Sequence, residues 1–203
     1  MPGRIAVLVS GAGSNMVALA EACEAGTVPG KVVMVAADRD CAGLAAARDR
    51  GVTTGLVDFA AYRSRDEWNE AFRDAVAGST PDLVVSAGFM RILSPSFVDA
   101  FAGRLINLHP SLLPAFPGAH AVRDALAHGV KVTGTTVHLV DYEVDHGPIL
   151  LQEVVEVRPD DTEQSLHERI KTVEHELLPK ACRLILGGEI KLGRSRTPVE
   201  PGH

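Results

Sequence analysis

The chain has 203 residues, 46% of them hydrophobic and 23% charged, with a formal net charge of −6. Those proportions suit a folded protein with one full core and exclude a disordered chain, while the negative balance excludes an overall attraction to nucleic acid or an anionic membrane. No apolar run is long enough for a membrane span or a signal-peptide core, so a cytoplasmic protein is expected.

Short β-branched runs lie at 4–10 (RIAVLVS), 31–37 (KVVMVAA), 53–57 (TTGLV), 82–87 (DLVVSA) and 105–108 (LINL), and helical patterns separate them at about 14–25, 41–50, 65–77 and 95–102. This alternation predicts an α/β fold with a Rossmann-like, mostly parallel twisted sheet and helices on both faces. The pattern then changes. Two long strand candidates, 132–140 and 148–157, follow each other with only a loop between them, which predicts an antiparallel addition towards the C-terminal part. A long helix is expected from Thr162, a good N-cap, to about Leu186. Residues 1–190 are read as a single domain and 191–203 as a surface tail. The three cysteines, widely spaced among Ala and Leu, suggest buried thiols rather than a disulfide framework or a zinc site.

Three segments carry polar residues where a scaffold does not need them. The first, Gly11-Ala12-Gly13-Ser14-Asn15, joins the first strand to the first helix, where backbone N–H groups and the positive helix end suit a phosphate. A structural tight turn is a second reading, and a dinucleotide fingerprint with Asp38 as its ribose acid is a third; the bulky Met16 stands at that fingerprint's third glycine. The second segment is LINLHPSLLP, where alternation puts Asn107 and His109 on one face of a strand and Pro110 prevents a helix from starting. The third is the loop DYEVDHGPI, whose Asp145 would orient His109 and raise its pKa if the two met. Ser111 invites a Ser-His-Asp hydrolase reading, but the nucleophile motif G-x-S-x-G is missing.

Taken together, SGAGSN (10–15), AGFMRILSP (87–95), INLHPSLLPAFPGAH (106–120), GTTVHLV (134–140) and VDHGPILLQ (144–152) resemble the formyltransferases that use 10-formyltetrahydrofolate, most closely the branch that formylates 5-phosphoribosylglycinamide. The resemblance runs from residue 4 to about 190 and implies formyl transfer from the folate N10 to the glycine amine. It implies a catalytic trio of Asn107, His109 and Asp145, in which Asn107 and a protonated His109 donate to the developing oxyanion while Asp145 keeps the imidazole charged. It also implies an N-terminal, phosphate-binding part and a C-terminal, folate-binding part. Gly11, Ala12, Gly13, Ser14, Asn15, Lys171 and Glu174 would bind the phosphoribosyl substrate. The folate side would draw on Arg65, Met90, Arg91, Ile92, Leu93, Phe97, Leu105, Asn107, Val140, Asp141 and Val144, with His120, His138 and Ser111 in support.

The chemistry so implied needs 10-formyltetrahydrofolate as cosubstrate and no metal, and its partners are small molecules, with a monomer or homodimer expected and no nucleic acid or membrane. Other members of the group, a methionyl-tRNA formyltransferase or a formyltetrahydrofolate hydrolase, would add an RNA-binding or a regulatory domain, and neither is expected. A non-catalytic folate or nucleotide binder would keep the glycine loop without needing Asn107, His109 and Asp145 together. An NAD-dependent oxidoreductase would instead bind nicotinamide.

Overall fold

In the computed structural model, residues 1–193 are described; of the predicted tail, 194–203 lie outside the described residues. A sheet of seven strands runs in the order β3-β2-β1-β4-β5-β6-β7. β1 (Gly3–Val9), β2 (Gly30–Ala37), β3 (Thr53–Leu56), β4 (Leu83–Ser86) and β5 (Leu105–His109) are parallel, and β6 (Val132–Leu139) and β7 (Ile149–Glu156) add an antiparallel pair. Between them lie α1 (Ser14–Glu24), α2 (Ala42–Asp49), α3 (Arg65–Gly78), α4 (Pro95–Ala100), α5 (Ala121–His128) and α6 (Glu163–Leu186).

β1 shows why the sheet is covered on both sides: Ile5, Val7 and Val9 enter one core while Ala6 and Leu8 enter another, all at 0% exposure. A strand buried on both faces has no polar alternation, which is why these strands read as unbroken apolar runs. On the first face α1, α2 and α6 supply Met16, Leu19, Leu44, Leu177, Leu178 and Ala181. On the second face α3 and α4 supply the aromatic residues, with Trp68 stacked 4.9 Å from Phe72 and Phe72 lying 5.7 Å from Phe97. The indole N–H of Trp68 donates to the Val57 carbonyl at 2.7 Å, so this large ring is buried without an orphaned donor.

Helix starts follow local chemistry. Ser64 and Ser94 accept from the backbone N–H of Glu67 and Phe97, and Pro95 occupies the first turn of α4. Thr162 and Ser165 cap the start of α6 reciprocally. The expected elements appear with bounds within two residues, but α5 and a 3₁₀ turn at Phe59–Ala61 were not legible in the sequence. α5 is short and begins at His120 without a side-chain cap, so neither length nor capping marks it.

The chain order changes direction between β1 and β4, which opens a crevice beyond the carboxyl ends of the parallel strands. Val9, Ala37, Ser86 and His109 end there. Within β5, Ile106 and Leu108 point into the first core, while Leu105 points into the second, on the face that Asn107 and His109 share. Truncating Phe72, at the centre of the aromatic face, is expected to lower the free energy of urea unfolding by about 3–5 kcal/mol. Val154→Ala, on exposed β7, is expected to stay within about 0.5 kcal/mol of the wild type in the same titration.

Candidate active site

Asn107 lies opposite His138 in the antiparallel β5–β6 pairing. Nδ1 of His138 lies 2.8 Å from the Leu139 carbonyl, which can only accept, so that nitrogen carries the proton. Nε2 is then an acceptor, and it receives an N–H from the Asn107 amide at 3.1 Å. This fixes which way the Asn107 amide points: its second N–H faces Asp145 Oδ1 at 3.4 Å.

Asp145 reaches the same place from the loop between β6 and β7. Its backbone is in the left-handed region (φ 55), and its side chain is 10% exposed. Oδ2 accepts the Gly118 N–H at 2.8 Å and lies 3.3 Å from His109 Nδ1, while Oδ1 lies 3.6 Å from His138 Nε2. Gly147 makes the approach of this loop possible, because a Cβ there would fall 1.9 Å from the Leu139 carbonyl oxygen. Burial alone would raise the Asp145 pKa. The His138 and His109 imidazoles beside it and the hydrogen bond from the Gly118 N–H outweigh it and hold the carboxyl below its ordinary value.

His109 is buried and donates from Nε2 to the Phe116 carbonyl at 2.9 Å. Acceptors on both sides of the ring, Phe116 and Asp145, favour its protonated form, and burial opposes it. Burial is the larger effect, and the pKa lies below the usual histidine value. The raised pKa expected from the sequence is therefore corrected: Asp145 meets His109 and raises its pKa, but burial lowers it by more.

The glycine loop is closely packed. Gly13 (φ 73) begins α1, and a Cβ on it would lie 2.7 Å from the Cα of Gly43. The Gly11 carbonyl accepts the Gly43 N–H at 2.9 Å, and no side chain caps α1, so Ala12, Ser14 and their neighbours present main chain to the loop mouth. Asn15 donates to Glu174 at 2.8 Å, and its Oδ1 is buried without a partner. Burial raises the Glu174 pKa against the hydrogen bond from Asn15. Thr135 stands beside the Glu174 carboxyl and donates to the His109 carbonyl at 3.1 Å, which connects this corner to β5. Lys171, one turn before Glu174, pairs instead with Glu168 at 2.9 Å.

The residues expected on the folate side divide. Met90, Ile92 and Val144 are exposed by 66%, 61% and 53%, giving apolar surface at the crevice. Arg65 donates to the Ile92 carbonyl at 3.0 Å, Asp141 accepts from the Glu143 N–H and His146, and Leu93 and Val140 pack at the margin of the second core. Phe97 and Leu105 are 1% exposed inside that core, so they support a pocket wall from behind rather than forming its surface. Ser111 is buried, and its hydroxyl donates to the Ala115 carbonyl at 2.6 Å, bracing the 110–118 loop. His120 is exposed at the start of α5, away from the trio's hydrogen bonds.

Two contributors had no side-chain signature: the Phe116 carbonyl and the Gly118 N–H, both main chain, complete the partners of His109 and Asp145. Among the described residues no group of three or more His, Cys, Asp or Glu is placed to hold a metal ion, and no helix is long and apolar enough to cross a membrane.

The formyl transferase family matches residues 3–182. A phosphoribosylglycinamide formyltransferase of Mycobacterium tuberculosis (strain CDC 1551 / Oshkosh) is 51% identical over 197 residues, 97% of this chain and 91% of the relative. The enzyme of that name from Escherichia coli (strain K12) is 42% identical over 189 residues, 93% of this chain and 89% of the relative. The crystal structure of glycinamide ribonucleotide transformylase 1 from Symbiobacterium toebii superposes with a TM-score of 0.91 at 46% identity, covering 95% of this chain and 92% of that one.

Because the folded state resists protonation of His109, the unfolded chain binds that proton at higher pH. The resulting stability is fully present above the ordinary histidine pKa of 6.5 and is lost as pH falls through the lowered folded value. His109→Asn removes this loss. The wild-type minus variant difference in urea-unfolding free energy should therefore shrink between about pH 7.5 and about pH 5, and a constant difference would contradict the assignment.

Proposed function

Since this chain belongs to the formyl transferase family, we propose that it transfers a formyl group from 10-formyltetrahydrofolate to the glycine amine of 5-phosphoribosylglycinamide, releasing tetrahydrofolate, in purine biosynthesis. The observation that carries the reading is the convergence of Asn107, His109 and Asp145 within 3.4 Å contacts. A binding module has no use for an amide donor, an imidazole and a carboxylate gathered at such desolvation cost.

The amine lone pair attacks the formyl carbon and the carbonyl electrons move onto oxygen. Asn107 stabilises that oxyanion by turning the N–H now directed at Asp145. Its 3.4 Å contact is long, so little is lost in the exchange. The attacking nitrogen becomes positive and acidic. Its proton passes, through water, to the Asp145–His109 pair, and the imidazolium so formed, held between Asp145 and the Phe116 carbonyl, sets its positive charge beside the oxyanion. Returning that proton to N10 lets the C–N10 bond break as the carbonyl re-forms. This sequence takes His109 as neutral before the attack, a form that its lowered pKa favours, because a ring already protonated could not take up the amine proton.

The substrate phosphate sits against the main chain of Gly11 to Asn15 at the start of α1. The unpartnered Asn15 Oδ1 and the Glu174 carboxyl receive hydroxyl or N–H donors from the phosphoribosyl-glycinamide, and Lys171 adds positive charge at the rim. The folate ring lies against the apolar crevice at 90–93 and 140–144, on main-chain groups of those segments. Residues 1–190 act as one domain in a cytoplasmic enzyme.

Absorbance-monitored transfer from a 10-formyl folate tests this directly. Tetrahydrofolate should be released with phosphoribosylglycinamide present and not without it; equal release without the amine indicates a hydrolase, and none in either case a binding module. His109→Ala should lower kcat by about 10²–10³-fold while the Michaelis constant for the amine substrate stays within about threefold.

A further inference from the structure

Asp38, at the end of β2, has no part in the chemistry above, yet its side chain is 0% exposed and collects three donors. Ser10 Oγ donates to Oδ1 at 2.6 Å. Arg39 and Arg91 both reach Oδ2, at 2.8 and 2.9 Å. Burial alone would raise the Asp38 pKa, but the hydrogen bonds from Arg39, Ser10 and Arg91 outweigh it, and the group is held below the ordinary carboxylate value as a buried anion.

These partners lie on segments that flank the crevice. Ser10 immediately precedes the glycine loop, and its hydroxyl oxygen also accepts the Met90 N–H at 2.9 Å. Its own N–H donates to the Gly88 carbonyl at 3.2 Å. The Arg91 guanidinium lies 4.0 Å over the ring of Phe59, whose N–H in turn donates to the Asp38 carbonyl at 3.0 Å. Residues 88–91 are thus tied to Asp38 twice, through the main chain by way of Ser10 and through the Arg91 side chain. A loop whose main chain must read a flat heterocycle needs such fixing, because the groups that face the ligand must already be in position when it binds.

We propose that Asp38 is a positioning residue for the folate: through Ser10 and Arg91 it holds the main chain of residues 90–92 in the conformation that binds the heterocycle, and Arg91 serves as a strut rather than as a ligand for the folate's carboxylates. The inference rests on the functional reading above and names a determinant of cosubstrate affinity within it.

Asp38→Asn keeps the side-chain volume and weakens both charge-assisted bonds. The Michaelis constant for 10-formyltetrahydrofolate should rise about tenfold, with kcat and the Michaelis constant for the amine substrate within about threefold. Arg91→Gln should raise the folate constant similarly, and by the same factor for an analogue truncated after the benzoyl group. The double variant should be no worse than the poorer single variant, because both changes break one connection. An unchanged folate constant in Asp38→Asn, additive effects in the double variant, or an Arg91→Gln defect that vanishes with the truncated analogue would each overturn the proposal. Should Asp38→Asn fail to fold, Arg91→Gln with the two folates decides alone. Absence of transfer by the wild-type chain would defeat the functional reading instead, and calorimetric binding of tetrahydrofolate to the same variants would still judge the strut.

Discussion

The Asp145 carboxylate is the constraint around which the crevice is arranged. A carboxylate only 10% exposed must find donors, because an uncompensated buried charge costs several kcal/mol. Here they come from separate parts of the chain, Asn107 from β5 and Gly118 from the loop after it, and imidazoles on β5 and β6 pack beside the same carboxylate. Satisfying one charge therefore fixes the relative positions of two strands and two loops. The left-handed backbone at Asp145 is sustained by the same contacts.

The change from parallel to antiparallel pairing makes this convergence possible. β5 is the last parallel strand, so its end meets the crevice. β6 returns beside it with His138 opposite Asn107 and Thr136 opposite His109. Thr136 extends the bracing outward: its hydroxyl donates to the Ser111 carbonyl at 2.7 Å and accepts the Leu113 N–H at 3.1 Å. Gln152 on β7 donates to the Leu113 carbonyl at 2.9 Å. The loop that supplies the Phe116 carbonyl and the Gly118 N–H is thus held by the antiparallel pair, and the trio inherits its rigidity from there.

The strands were legible because sheet burial on both faces writes continuous apolar runs, and Asn107 and His109 were legible because polar residues interrupt such a run. α5 left no comparable mark. The apolar residues of AGFMRILSP and its surroundings show the limit of pattern: Phe97 and Leu105 belong to the core, while Met90 and Ile92 are exposed, and apolar character alone does not separate the two groups. The direction of the His109 pKa shift was misjudged for a physical reason. A neighbouring carboxylate and desolvation act in opposite directions on an imidazole, and the balance depends on distances and burial that a sequence does not contain. Asp38 is similar: its position at a strand end suggested a ribose acid, and only the fold shows that arginines and Ser10 already occupy it.

Asp145→Asn tests the central claim most directly, since the substituted side chain retains an oxygen for the Gly118 N–H and loses only the charge. With both substrates saturating, the single-turnover rate of formyl transfer is predicted to fall by about 10²-fold or more while the fold and both binding constants persist. A rate within about threefold of the wild type would contradict the account, because proton transfer through the Asp145–His109 pair would then not limit the reaction.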